Sequence, residues 1–116
     1  MATNTKFEDG DYLSLPVPQD TPSGGPVHVG VLAAGINGVA QTKEGEGGNP
    51  DGFASVMLKG VHLLSVTGAI AAVGDYVYIT VPGNALNATN TNAKFGVALA
   101  TKGAPAGVIP VRVDQY

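Results

Sequence analysis

The sequence predicts an all-β protein, a small β-barrel or β-sandwich with short strands, Gly/Pro-rich turns and an extended N-terminal arm. Three observations lead there. Glycine and proline number 17 and 8 among 116 residues, well above the usual ~12%, which favours tight turns and disfavours long helices. Short runs of alternating or β-branched apolar residues recur along the chain, with turn signals between them. No cysteine is present, so neither a disulfide nor a thiolate metal site staples a looser fold.

Residues 1–10 are polar with one aromatic, Phe7, and read as a flexible N-terminal arm without a core of its own. Residues 11–116 read as a single β domain. Tyr12-Leu13-Ser14-Leu15 alternates before Pro16 and Pro18 interrupt it, which suits an edge strand. After a turn cluster at 21–25, residues 27–32 carry Val27, Val29 and Val31 at the period of a half-buried strand, with His28 and Gly30 on the other face. A turn around Gly35 leads to a short strand at 36–41. Residues 42–52 hold Lys43, Glu44, Glu46, Asp51 and several glycines, and are expected to form a mobile surface loop.

Residues 53–66 read as one or two strands with neither face strongly polar, and Gly60 marks a bend. Residues 69–73 have helical propensity but are too few for a stable helix. Residues 76–81 are wholly β-branched or aromatic and give the strongest strand signal in the chain. Pro82-Gly83-Asn84 is a turn, and residues 85–94 form a polar, hairpin-like excursion. A strand at 95–100 and a final one at 108–113 lie side by side. Roughly eight strands in so short a chain point to a closed or nearly closed barrel or a sandwich.

The chemistry of catalysis is thinly represented. His28 and His62 each sit among apolar residues, and neither has a second ligand at i+2; zinc needs at least three. They read as surface or interface histidines. Glu8-Asp9-Gly10-Asp11 resembles half a calcium loop, but no terminal Glu follows at the required spacing. Ser14, Ser23, Ser55 and Ser65 lack a nucleophile-elbow context. The glycines at 45, 47 and 48 precede no Gly-Lys-Ser or Gly-Lys-Thr, so they make no phosphate-binding loop. Asn87-Ala88-Thr89 is a formal glycosylation sequon, without weight in the absence of a secretion signal. Tyr76 and Tyr78 share a strand face. They either stack bases, as in an OB-like barrel, or belong to a core or subunit interface, which the acidic balance favours.

Charge narrows the partners. Only 13% of residues are charged, against ~25% in ordinary soluble domains. An ion-poor surface on a small domain is expected to be covered in part by other protein. The net charge is −3, and the six cations Lys6, Lys43, Lys59, Lys94, Lys102 and Arg112 are scattered singly, so no nucleic acid partner is expected. No segment is long and apolar enough for a membrane span, and residues 1–10 show no signal-peptide pattern. No cofactor and no metal are expected.

Taken in order, Gly10-Asp11-Tyr12-Leu13-Ser14-Leu15-Pro16-Val17-Pro18, Ser23-Gly24-Gly25-Pro26-Val27-His28-Val29-Gly30, Gly38-Val39-Ala40 and Gly60-Val61-His62-Leu63 resemble a family of small phage proteins. So do Gly74-Asp75-Tyr76-Val77-Tyr78, Phe95-Gly96-Val97-Ala98-Leu99 and the terminal Val108-Ile109-Pro110-Val111-Arg112-Val113. The family, long known as a domain of unknown function, is read as capsid decoration or cement proteins. The resemblance implies a non-enzymatic structural protein on the outer surface of the virion capsid, made in the bacterial host cytoplasm. It implies the major capsid protein and the chain itself, as a homotrimer, for partners. Such proteins sit at capsomer junctions and strengthen the shell. Asn4, Thr5, Lys6 and Phe7 of the arm are the expected capsid contacts, with a neighbouring cement subunit as the competing site for the arm. The alternatives are another phage structural protein of the tail or head–tail region, an OB-like binding module, and an enzyme whose site is not visible in the sequence.

Overall fold

The computed structural model describes residues 11–31, 34–81, 83–89 and 92–116. The arm at 1–10, with Asn4, Thr5, Lys6 and Phe7, lies outside them. The described residues contain nine strands and no helix: β1 (Tyr12–Pro16), β2 (Pro26–Val31), β3 (Ala34–Ala40), β4 (Phe53–Met57), β5 (Val61–Thr67), β6 (Tyr76–Ile79), β7 (Leu86–Asn87), β8 (Ala93–Ala98) and β9 (Gly107–Val113). The protein is therefore all-β, as its sequence predicts. The strands divide between two sheets. One is four-stranded and antiparallel, in the order β1-β4-β3-β2; the other is a closed barrel in the order β5-β7-β6-β8-β9.

The division falls at Gly60, which ends β4's excursion with a φ of 98°. That is the left-handed region open to glycine at little cost, and it sends the chain out of the first sheet and into the second. Barrel closure is long-range: β5 pairs antiparallel with the last strand, β9, from Val61↔Arg112 to Val66↔Gly107. The expected polar excursion contains β7, a two-residue strand that pairs parallel with β5 and antiparallel with β6. Gly35, expected in a turn, is in β3 opposite Gly30. Residues 69–73 form no helix; Ile70 instead bridges Lys102.

The larger core fills the barrel. Leu64, Val66, Val77, Ile79, Phe95, Ile109 and Val111 point inward and are buried. Their spacing of two along each strand is the period expected of strands with one inward face. Phe95 is the largest of them, and a register shift explains how it enters. Val77 pairs with Gly96 but Tyr78 with Lys94, so Phe95 is the extra residue of a β-bulge in β8. Its neighbour Gly96 meets β9 so closely that a Cβ would collide with the Arg112 carbonyl oxygen. The four-stranded sheet has a smaller core of Val17, Val27, Ala40, Ala54 and Val56.

The two sheets meet at a polar seam. Asn37 on β3 is buried, and its Nδ2 donates to the carbonyls of Lys94 and Asp114, each at 2.9 Å. With the amide oriented by two acceptors, its Oδ1 faces His28 Nδ1 at 2.6 Å. The Asn37 N–H donates to Gln115 Oε1 (2.9 Å), and Gln115 Nε2 returns to the carbonyls of Asn37 (2.7 Å) and Leu58 (3.0 Å). Beside it, Val39 of the four-stranded sheet packs into the barrel core.

Two substitutions test this account. Phe95→Ala is expected to cost about 3–5 kcal/mol by loss of burial and creation of a cavity, measured by urea denaturation. Asn37→Asp keeps the shape but sets an acceptor against two carbonyls; a loss of about 2–4 kcal/mol is expected by the same measurement. An Asn37→Asp protein as stable as the parent would remove the seam from the account.

Candidate functional site

Three surfaces of the described residues are distinctive. The first is the exterior of the barrel. On β5, Leu64 and Val66 face the core while Val61 and Leu63 face out, 54% and 73% exposed. On β9, Val108 is 65% exposed, with Pro110 and Arg112 on the same outward face. The register aligns these residues across strands. Leu63 lies opposite Pro110, whose carbonyl accepts from Leu99 N–H at 2.9 Å. Val61 lies opposite Arg112, Arg112 opposite Val97 and Val97 opposite Tyr76. The result is a continuous, largely apolar outer face over β5, β9 and β8. The signal was present in the sequence, because residues 61–66 are apolar at both parities. A strand with one face in a core and an apolar second face needs cover on that face too.

The second surface is aromatic. Tyr76 is 44% exposed, edge-on to Tyr78 at 6.3 Å and to Tyr116 at 5.9 Å. Lys94 Nζ lies 4.5 Å from the centre of the Tyr76 ring, a cation–π contact. Burial, then the charge of Asp114, raises the Tyr116 phenol above its ordinary pKa. Tyr76 and Tyr78 do share a face, yet one side of the Tyr76 ring is taken by an ammonium group. A base stacking there would have to displace it. Lys59 pairs with Asp11 at 2.7 Å, and Lys102 donates to the carbonyls of Gly68, Gly103 and Pro105 at 2.5–2.7 Å.

The third surface is the acidic loop end of the four-stranded sheet. Residues 42–52, expected to be mobile, are held by a dense set of hydrogen bonds. Asn49 accepts from Ser14 Oγ (2.6 Å) and donates to Ser55 Oγ (3.1 Å) and to the Glu46 carbonyl (2.8 Å). Glu44 accepts from the Gly52 N–H (2.6 Å) and the Asp20 N–H (3.2 Å). These backbone bonds, Gly52's first, hold its carboxyl below the ordinary range. Asp20, Glu46 and Asp51 stand exposed around it.

The histidines lie apart. His28 bonds to Asn37, and its Nε2 lies 2.8 Å from the Val31 carbonyl oxygen. His62 Nε2 lies 2.9 Å from that of Lys59. Among the described residues no three His, Asp or Glu side chains gather to hold a metal ion. The chain enters the structure at Asp11 and continues into β1, an edge strand that pairs only with β4 among the described strands.

The described residues thus form an all-β body with a polar seam inside and several apolar side chains on strand exteriors. The family is specific: residues 7–113 match the model of the phage cement proteins. The chain belongs to that family, a structural one associated with the phage capsid. No curated protein and no solved structure matches it.

Glu44 supplies a pH test. Its folded pKa is depressed, so the stability it contributes is present above the ordinary carboxylate range. That stability is lost as the pH falls through the lowered value. Thermal unfolding of Glu44→Gln is expected to lose this part of the acid dependence, and an unchanged pH profile would show that the two backbone bonds hold nothing.

Proposed function

We propose that this chain is a capsid decoration protein that binds the outside of the phage shell at capsomer junctions as a homotrimer, and stabilises the shell against its packaged genome. The match over residues 7–113 carries this reading. The ion-poor composition and the exposed apolar barrel face support it, because both describe a surface completed by partners. Its partners are then the major capsid protein and two further copies of itself, and it is made in the host cytoplasm. It needs no cofactor and performs no catalysis.

Within this reading the chain is a β domain at 11–116 with a docking arm at 1–10. Asn4, Thr5, Lys6 and Phe7 contact the capsid, with Phe7 as the apolar anchor. The arm would extend β1 outward onto the lattice by strand addition. Ordering each arm residue costs roughly 1–2 kcal/mol of backbone entropy, so hydrogen bonds and a pocket for the ring must both be supplied. Three arms on one trimer act together, and avidity holds the protein where a single arm would not.

Purified protein added to undecorated capsids is expected to bind in stoichiometric amount and to raise their resistance to heat. Label seen by electron microscopy only on tails or connectors would overturn the reading. A chain lacking residues 2–10 is expected to assemble as the parent does but to leave capsids bare. Normal decoration by that chain would remove the arm from docking, and its collapse to monomers would assign the arm to a neighbouring cement subunit.

A further inference from the structure

We propose that the outer face of β5, β9 and β8 is the docking surface for a second copy of this chain, which approaches head to tail with the acidic loop end of its four-stranded sheet. The proposal rests on the reading of the chain as a self-associating decoration protein, and it names the surfaces used.

The apolar rows of the barrel exterior are side by side in register, and Val61, Leu63 and Val108 are each more than half exposed. Strands β5, β8 and β9 contain no Asp or Glu; the charges on them are Lys94 and Arg112. Lys94 leans on the tyrosine rings, and exposed Arg112 stands in the row between Val61 and Val97. This face is apolar and cationic. Four of the seven acidic residues among those described, Asp20, Glu44, Glu46 and Asp51, lie on the joined loops at one end of the four-stranded sheet, with Lys43 beside them; there the Glu44 N–H donates to the Thr21 carbonyl and Glu44 Oε1 accepts from the Asp20 N–H. Glu44 is spent on backbone N–H groups, which leaves Asp20, Glu46 and Asp51 for a partner.

Charge complementarity selects the occupant and its orientation. Two barrel faces meeting symmetrically would bring their arginines together with only Asp114, just past the end of β9, as an anion on each side, and a charge removed from water without a close partner is strongly unfavourable. The acidic end of a neighbouring copy supplies the anions. The chain thus carries both halves of one contact on separate parts of its body. Such a heterologous contact repeats until a ring closes, and closure leaves neither half exposed. A ring of three satisfies the homotrimer proposed above.

The backbone edges argue for contact by faces. Pro16 removes a donor from the free edge of β1, and Pro26 does so on β2, where the His28 N–H is already capped by Asn84 Oδ1 at 3.2 Å. The barrel has no free edge, being closed by β5 and β9.

The test uses the full chain and light scattering across a concentration series. The parent is expected to be an oligomer. Leu63→Glu and Val108→Glu, both at exposed positions, are expected to weaken self-association roughly 30-fold or more while leaving the circular dichroism spectrum of the folded chain unchanged. Arg112→Glu is expected to weaken it as well, and Glu46→Lys with Asp51→Lys in the same chain to restore it. Assembly of Leu63→Glu and Val108→Glu as strong as the parent's overturns the proposal, as does a parent of one-chain mass at every concentration. Failure of the double charge reversal to restore what Arg112→Glu loses overturns the head-to-tail orientation. Decoration of capsids is scored separately. A parent that assembles through this face but binds no capsid retains the inference and sinks the function, and a parent that decorates while Leu63→Glu still assembles does the reverse.

Discussion

The arrangement of the molecule depends on one buried amide. Asn37 joins two sheets whose cores share only Val39 of β3, and it does so with every polar atom engaged: its N–H, carbonyl and both side-chain termini have partners on β2, β8 or the C-terminal segment. A hydrophobic residue at this position would strengthen burial but would leave the carbonyls of Lys94 and Asp114 unpaired. Apolar contact is also indifferent to rotation about its axis, whereas two donors aimed at two carbonyls fix one relative placement. Buried side-chain polar atoms without a partner are absent among the described residues, so the network's side chains leave no weak point between the sheets.

The seam also accounts for how far the sequence could be read. Local patterns carried the strands: the alternation at Tyr12 to Leu15, the β-branched and aromatic run from Tyr76, and the bend at Gly60 all have local causes in pleat and backbone freedom. The partition into a sheet and a barrel has no local cause. It arises from β5 choosing β9, roughly forty to fifty residues on, and from Asn37 reaching Asp114 and Gln115 across 77 and 78 positions. The two-residue β7 is set by its neighbours on both sides and not by Leu86 and Asn87 themselves. The loop at 42–52 looked mobile because its residues are polar, and polarity is also what lets Asn49 and Glu44 tie it down. Family membership was legible because it is carried by the order of many weak motifs. The contact residues of the arm lie outside the described residues, and the apolar barrel face was visible as an apolar strand of both parities whose significance needs the register.

Low charge and abundant glycine take on a single meaning once the surfaces are placed. The barrel is small enough that strand backbones pass in contact, as Gly96 does against Arg112. Each strand has an inner side chain that fills the core and an outer one that water would ordinarily meet as a polar group. Here the outer positions on β5 and β9 hold Val61, Leu63, Val108 and Pro110 beside Ser65, Thr67 and Arg112. The acidic groups among the described residues are displaced to the loops of the other sheet and to strand ends. Separation of apolar and acidic surface on one rigid body makes the chain asymmetric in what it can bind.

That asymmetry sets how such a body can be used without uncontrolled aggregation. Exposed apolar strands ordinarily invite addition of further strands through backbone edges. This chain withholds those edges: the barrel is closed, and the sheet's two outer strands carry Pro16 and Pro26, with an asparagine cap at His28. What remains available is side-chain surface, which discriminates by shape and charge, whereas a strand edge accepts almost any extended chain. At its open end β1 leads back into residues 1–10, so the place where strand addition stays possible is also where the chain has a segment of its own to direct it. Under the proposed function this division has a use: faces would govern contact between defined bodies, and the β1 end would be left to the lattice.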